Sequence, residues 1–155
     1  MTPSITLFHA ILQEAVTQQA SDVHLRSRSP VFFRIHGALI KLPHLQPSAE
    51  QLEEIVASTL PGPFHKGWRE TLQVNYAYRA PEVGQFRVNA FYQRGTPSLV
   101  LRHVKEVPPR LEALGHCVEL IQPLCAWEYG LVLVSGSVGS GKSSTLAGML
   151  QYINQ

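Results

Sequence analysis

The stretch "GLVLVSGSVGSGKSSTLAGML", residues 130–150, decides the fold class of the second half of the chain. Its centre fits the pattern G-x-x-x-x-G-K-[ST], with Gly136, Gly141, Lys142 and Ser143 at the required positions. The uncharged run at 130–135 predicts a strand buried on both faces of a parallel sheet. A strand, a glycine-rich loop and a helix in this order predict a phosphate-binding (Walker A) loop in an α/β domain.

The residues of this loop have expected roles in holding a nucleotide. Glycine at 136, 139 and 141 allows backbone conformations in which successive N–H groups turn inward toward phosphate. Lys142, the catalytic candidate, is expected to bring its charge to the β- and γ-phosphates, and Ser143 to offer its hydroxyl to Mg²⁺. The expected cofactors are therefore ATP and Mg²⁺, and the candidate binding residues are Gly136, Ser137, Val138, Gly139, Ser140, Gly141, Lys142, Ser143 and Ser144.

The helix after the loop shows apolar residues at helical spacing, and we expect these to form its buried face: Leu146, Met149, Leu150 and Ile153. The alternative to a nucleotide site is an ordinary glycine-rich turn between a strand and a helix. The full motif spacing and both flanking segments favour the nucleotide site.

Composition excludes several classes of protein. The chain has 155 residues, enough for one domain or for a small domain and part of another. No apolar run reaches the roughly 20 residues needed to span a bilayer, so no transmembrane segment is predicted. The first residues lack a basic region and include Glu14, unlike a signal peptide. A net charge of +2 from 13 basic and 11 acidic residues gives no indication of direct nucleic-acid binding.

The cysteines and histidines give no metal or disulfide signature. Cys117 and Cys125 lie on one side of a predicted helix and are expected to be buried thiols in a reducing cytoplasm rather than a disulfide. The seven histidines show no metal-ligand spacing. His24, within a predicted strand, is interpreted as a structural residue.

The first part of the chain predicts an α+β domain with six strands. The patterns indicate helices at 3–19 and after Ser48, where Ser48 and Gln51 can form a capping box. A short helical turn is expected near Trp68. Strands are predicted at 21–26, 31–37, 38–42, 72–79, 85–93 and 97–104. The prolines of "KEVPPR" indicate a linker at 105–110, so the predicted division is a domain at 1–104, this linker, and the start of a second domain at 111–155.

Four segments together carry a family resemblance: "ASDVHL" (20–25), "VFFRIHGALIKL" (31–42), "GQFRVNAFYQRG" (84–95) and the stretch quoted first. The sequence resembles the PilT-type twitching motility ATPases, which retract type IV pili and belong to the type II/type IV secretion ATPase superfamily. The resemblance implies a PAS-like N-terminal domain, then a RecA-like P-loop ATPase domain. It also implies a hexameric ring that is cytoplasmic, peripheral to the inner membrane, and partnered by a pilus platform protein there.

The resemblance also assigns site residues and implies missing ones. Arg87 and Arg102 are expected to reach the γ-phosphate of ATP, with Arg94 a weaker candidate; the alternative is that these arginines are solvated strand charges. The family's Walker B segment and catalytic glutamate would follow the last residue of the sequence. We therefore expect a 155-residue fragment that binds ATP weakly and does not hydrolyse it, with a looser second half.

Two alternatives remain open at this point. One is an ATPase of a related type II/type IV secretion or DNA-uptake system, and the other is a non-catalytic oligomerisation or adaptor fragment. Ser137 and Val138 replace the family's usual Pro-Thr in the loop, which leaves phosphate binding intact because neither position needs a particular side chain. Glu128 and Tyr129 replace the usual Pro-Arg before the predicted strand.

Overall fold

A computed structural model describes residues 2–104, 110–115, 118–137 and 140–154. The chain divides into two compact units, Met1–Lys105 and Glu106–Gln155. Apart from Arg110, the predicted linker at 105–110 lies outside the described residues, as do Cys117, Val138 and Gly139.

The first unit is an α+β structure, as the sequence predicted. Its helices are α1 (Pro3–Thr17), α2 (Ala49–Thr59) and α3 (His65–Thr71), with a 3₁₀ turn at Gly62–Phe64 before α3. Its strands are β1 (Asp22–Arg26), β2 (Val31–Ile35), β3 (Ala38–Leu42), β4 (Gln73–Ala80), β5 (Gly84–Gln93) and β6 (Thr96–Val104). Each predicted helix and strand is present, within two residues of the predicted ends.

The six strands form one antiparallel sheet in the order β3-β2-β1-β6-β5-β4. Hairpins join β2 to β3, β4 to β5 and β5 to β6. By contrast, β1 pairs with β6 although they are the first and the last strand of the unit in the sequence. The turn after β2 places His36 and Gly37 at positive φ, and the turn after β5 does the same for Arg94 and Gly95. These are the backbone conformations that two-residue hairpin turns require.

One face of the sheet forms the core with α1 and α2. Strand residues alternate between the faces, so each strand sends every second side chain into this core. Its largest fully buried side chains include Phe8 and Leu12 of α1, Leu52 of α2, and Phe33 and Phe86 of the sheet. The opposite face carries the polar and charged strand residues.

Helix α2 begins with the predicted capping box. The backbone N–H of Gln51 donates to Ser48 Oγ at 3.2 Å, and the backbone N–H of Ser48 donates to Gln51 Oε1 at 2.8 Å. Two N–H groups that the first helical turn would leave unpaired are thereby satisfied.

The second unit contains a 3₁₀ turn (Leu111–Leu114), α4 (Val118–Cys125) and α5 (Lys142–Ile153). The predicted strand at 130–135 is absent, and residues 131–136 have no regular secondary structure. Leu131 and Leu133 are 76% and 82% exposed. The prediction of a buried strand was therefore wrong for this structure, because a strand needs a neighbouring strand to pair its backbone and none is present among the described residues of the unit.

The apolar face predicted for α5 also needs correction. Met149 is buried, but Leu146, Leu150 and Ile153 are exposed. The face that packs within the unit contains Thr145, Gly148 and Met149, and the elements that α5 contacts there are α4 and the 3₁₀ turn. Cys125, expected to be buried, is unpaired and half-buried. In the described part of the chain, no helix has both the length and the apolar character needed to cross a membrane.

Candidate functional site

Helix α5 begins directly at the glycine-rich loop. Its first residue is Lys142, and Gly141 precedes it at φ 90°, a left-handed conformation that glycine adopts without strain. The first N–H groups of any α-helix lack intrahelical partners and carry the positive end of the helix dipole. The predicted loop and helix junction therefore has the donors that an anion requires, although the strand predicted before it is missing.

The side chain of Lys142 folds back over the loop. Its Nζ donates to the carbonyl oxygen of Gly136 at 2.8 Å and to that of Ser137 at 2.6 Å. A phosphate oxygen is a stronger acceptor for an ammonium than a neutral carbonyl, because the hydrogen bond is then ionic on both sides. The ammonium of Lys142 is thus held by two backbone carbonyl oxygens, which an anion could replace as its partners.

Gly136 lies at a crowded point of this loop. Its φ is 157°, and a Cβ added there would lie 2.7 Å from Ser140 Oγ. That distance is well inside normal contact, so a larger residue would force the Ser140 side chain to move. Glycine at the first position of the motif leaves room for the Ser140 hydroxyl in its present position.

The hydroxyl residues after the lysine occupy different environments. Ser143 is exposed and Ser144 is half-buried. Thr145 is buried, and both its backbone N–H and its Oγ1 donate to the carbonyl oxygen of Gly141, at 2.8 and 3.1 Å. Thr145 thus fixes the end of the loop, and the exposed Ser143 hydroxyl is accessible to a metal ion.

A second cluster lies in the first unit, on the sheet face opposite the core. The strand register aligns Arg87 with Arg102, Arg102 with Asp22, and Asp22 with Arg34. Two of the three arginines proposed from the sequence are therefore direct cross-strand neighbours. We call this set of four residues the arginine row.

Asp22 is the centre of the arginine row. Arg102 donates from Nε and Nη2 to Asp22 Oδ1 at 2.9 and 2.8 Å, and Arg34 Nε lies 3.5 Å from Oδ2. Ser21 Oγ also donates to Oδ2. Burial by itself would raise the pKa of the Asp22 carboxyl, but the hydrogen bonds from Arg102 and Ser21 and the charge of Arg102 outweigh it and lower that pKa.

A cavity of about 220 Å³ opens beside the arginine row and is lined by Asp22, Asn75, Arg87, Asn89, Val100 and Arg102. Asn89 Nδ2 donates to Asn75 Oδ1 at 2.9 Å across strands β5 and β4. Arg87 is exposed and makes no hydrogen bond or ion pair with another described residue. The cavity is therefore polar and cationic on its Arg87 side.

The other two residues singled out from the sequence lie differently. Arg94 occupies the β5–β6 turn at φ 53°, seven residues along the chain from Arg87, so the structure does not bring it into the arginine row. His24 lies on the same sheet face as Asp22, two residues further along β1. Burial and the nearby Arg34 charge lower the pKa of His24, and its Nε2 is buried without a hydrogen-bond partner among the described residues.

Sequence reasoning missed Asp22 as part of the site. Its partner Arg102 is 80 residues away, and the two meet because β1 pairs with β6. The available signal was an acidic residue at an outward-facing position of a strand, in a domain whose other outward-facing strand positions include Arg34, Arg87 and Arg102.

The fold and the sequence define a class of protein in which an α+β domain is followed by a glycine-rich loop and a helix. The chain belongs to the Type II/IV secretion system protein family, whose model matches residues 1–155. Over 146 residues it is 35% identical to the type IV pilus retraction ATPase PilT of Pseudomonas aeruginosa. This match covers 93% of this chain and 42% of that protein. It is 30% identical over 164 residues to the type II secretion system protein E of Aeromonas hydrophila, covering 98% and 32%.

A crystal structure of the pilus retraction motor PilT with bound ADP has the same fold over most of the chain. The TM-score is 0.83 at 34% identity, covering 95% of this chain and 43% of that one. The predicted membership of the type II/type IV secretion ATPase superfamily is thus confirmed. The chain spans 32% to 42% of the length of these two curated relatives, and so the activity of a whole relative is not established for it.

Proposed function

We propose that the chain is the ATP-binding portion of a motor ATPase that powers type IV pilus retraction. The observation that carries the proposal is the G-x-x-x-x-G-K-S loop at 136–143 leading directly into α5, in a chain similar to a motor solved with ADP. The N-terminus of α5 and the ammonium of Lys142 supply the donors and the charge that a polyphosphate needs.

In this proposal each residue of the loop has a defined task. The backbone of 136–144 surrounds the phosphates, and Lys142 exchanges its bonds to the Gly136 and Ser137 carbonyls for bonds to the β- and γ-phosphates. Ser143 would hold Mg²⁺, a cation that prefers oxygen ligands and bridges phosphate oxygens, where it neutralises developing charge. The exposed position of the Ser143 hydroxyl is compatible with this task.

Arg87 and Arg102 are proposed to supply positive charge to the γ-phosphate. A guanidinium remains charged at all relevant pH values and binds phosphate oxygens through two parallel hydrogen bonds. Their placement as cross-strand neighbours supports the proposal, because Asp22 compensates only the charge of Arg102, so the pair keeps an excess positive charge that an anion would neutralise. Arg94 is not included, since it lies outside the arginine row.

The complete motor is proposed to be a hexameric ring in the cytoplasm, peripheral to the inner membrane and acting on a pilus platform protein. The PAS-like and RecA-like domains, divided by a linker at 105–110, belong to the same proposal. Similarity to a type II secretion system protein E favours a second candidate, a motor of a related secretion system.

The test is the variant Lys142→Ala in the complete motor proposed above, which is called the full-length protein from here on. Because transition-state charge stabilisation of this kind contributes about 10²–10³-fold or more in rate, steady-state ATP turnover should fall by at least that factor. Lys41→Ala removes an exposed lysine of β3 and is the matched control, expected to keep normal turnover. Near-normal turnover in Lys142→Ala would reject the assignment of the site.

A further inference from the structure

Asp22 differs from the other members of the arginine row in two ways: its side chain is acidic, and it is buried. Its side chain is 8% exposed, whereas that of Arg102 is 69% exposed. A carboxylate taken out of water is costly unless its oxygens are hydrogen-bonded, and both oxygens of Asp22 accept such bonds. The carboxylate is therefore a fixed part of the sheet face, to which the longer arginine side chains attach.

The contact fixes Arg102 in a particular way. Both bonds from its guanidinium, Nε–H and one Nη2–H, go to the same oxygen of Asp22. A guanidinium has five N–H donors, so three remain after these two bonds. Within the described part of the chain those three make no hydrogen bond, and the side chain is largely exposed. One edge of the guanidinium is thus held, and the remaining donors are accessible to an anion.

The row also explains why two arginines can lie side by side. Arg87 and Arg102 are directly opposite each other on β5 and β6, an arrangement that is destabilising for like charges. Asp22, on the next strand, compensates one of these charges and leaves Arg87 without an acidic partner among the described residues. The row consequently keeps a net positive charge beside a cavity large enough for a phosphate group.

From this geometry we propose that Asp22 is a positioning residue, which orients the Arg102 guanidinium for contact with the terminal phosphate of ATP. The inference rests on the proposed function, in which Arg102 acts on that phosphate. Asp22 itself touches no substrate in this account. It limits the rotamers of Arg102 and so lowers the entropy that Arg102 loses when it binds phosphate.

The test is a double-mutant cycle on ATP turnover by the full-length protein, with Asp22→Asn, Arg102→Ala and the double variant. Asparagine keeps the shape of the side chain and removes its charge. We expect Arg102→Ala to lower kcat by about 10²-fold or more and Asp22→Asn by about tenfold, with KM changing much less. The double variant should equal Arg102→Ala alone, because Asp22 acts through Arg102.

Two further variants separate positioning from a general structural role. Asp22→Glu keeps the charge and displaces it by one methylene, and should recover part of the lost kcat. Glu82→Gln removes a carboxylate from the exposed β4–β5 turn and should leave turnover unchanged. Thermal melting of all variants shows whether any loss of kcat merely follows a loss of folded protein.

The outcomes are distinguishable from failure of the proposed function. If Asp22→Asn leaves kcat unchanged, raises it, or lowers it equally in the presence and absence of Arg102, the positioning role is overturned while the ATPase assignment stands. Unchanged turnover in Arg102→Ala overturns it as well. If Lys142→Ala keeps normal turnover, the proposed function itself fails, and this inference with it.

Discussion

Replacing Phe86 by alanine should strongly destabilise the first unit. Phe86 lies on β5, between β4 and β6, and its side chain is 0% exposed. Truncation of a buried phenylalanine leaves a cavity and costs about 3–5 kcal/mol. A domain of this size has a total free energy of unfolding of about 5–15 kcal/mol, so the variant loses a large share of its stability. With a urea m-value of about 1.5 kcal/mol/M, the unfolding midpoint should fall by about 2–3 M.

Tryptophan fluorescence during urea unfolding measures this effect. Trp68 is buried in the first unit, and its ring lies 4.9 Å from that of Tyr92, so its emission reports the folding of that unit. Trp127→Phe removes the exposed tryptophan of the second unit and is made in every protein compared. Val104→Ala, at an exposed position of β6, is the control and should shift the midpoint by less than about 0.5 M. A Phe86→Ala midpoint as high as that of Val104→Ala would refute the proposed core.

Three other predictions concern stability. Ser48→Ala removes the capping box of α2 and should cost the first unit about 1 kcal/mol in urea unfolding; an unchanged midpoint would contradict the cap. Burial lowers the pKa values of His9 and His24 below 6.5, so near and below that pH the unfolded chain binds more protons than the folded one. The stability of the first unit should therefore fall as the pH drops below 6.5, and the urea midpoint between about pH 8 and pH 5 measures this. A urea midpoint that rises on acidification would contradict this prediction. Amides at 131–136 should exchange with deuterium much faster than those of β5, because they lack ladder hydrogen bonds, and equal protection would contradict the irregular structure.

Local sequence signals predicted the first unit well, because its elements are determined by neighbouring residues. Ser48 and Gln51 lie three positions apart and can be identified as a capping box from the sequence alone. The β2–β3 turn has a glycine at the position where the backbone needs positive φ. In β5, Phe86 and Val88 are buried and Arg87 between them is exposed, which is the alternation of a strand with one covered face.

The remaining features depend on contacts between distant parts of the chain. Asp22 and Arg102 meet through the pairing of β1 with β6, which no local pattern indicates. The apolar run at 130–135 has the composition of a buried strand, but composition does not supply the neighbouring strands on which burial depends. The loop residues of the candidate site were identified by their spacing, whereas the position of Lys142 Nζ on two loop carbonyls required coordinates.

The central claim is that residues 136–144 bind the phosphates of ATP. The most direct measurement is hydrogen–deuterium exchange of the full-length protein by mass spectrometry, with and without ATP and Mg²⁺, for the wild type and for Lys142→Ala. Bound phosphate accepts hydrogen bonds from the loop N–H groups, so exchange in peptides covering 136–144 should slow when nucleotide is added to the wild type. The protection should be lost in Lys142→Ala. Nucleotide that protects other segments and leaves 136–144 unchanged, or protects the variant equally, would contradict the claim.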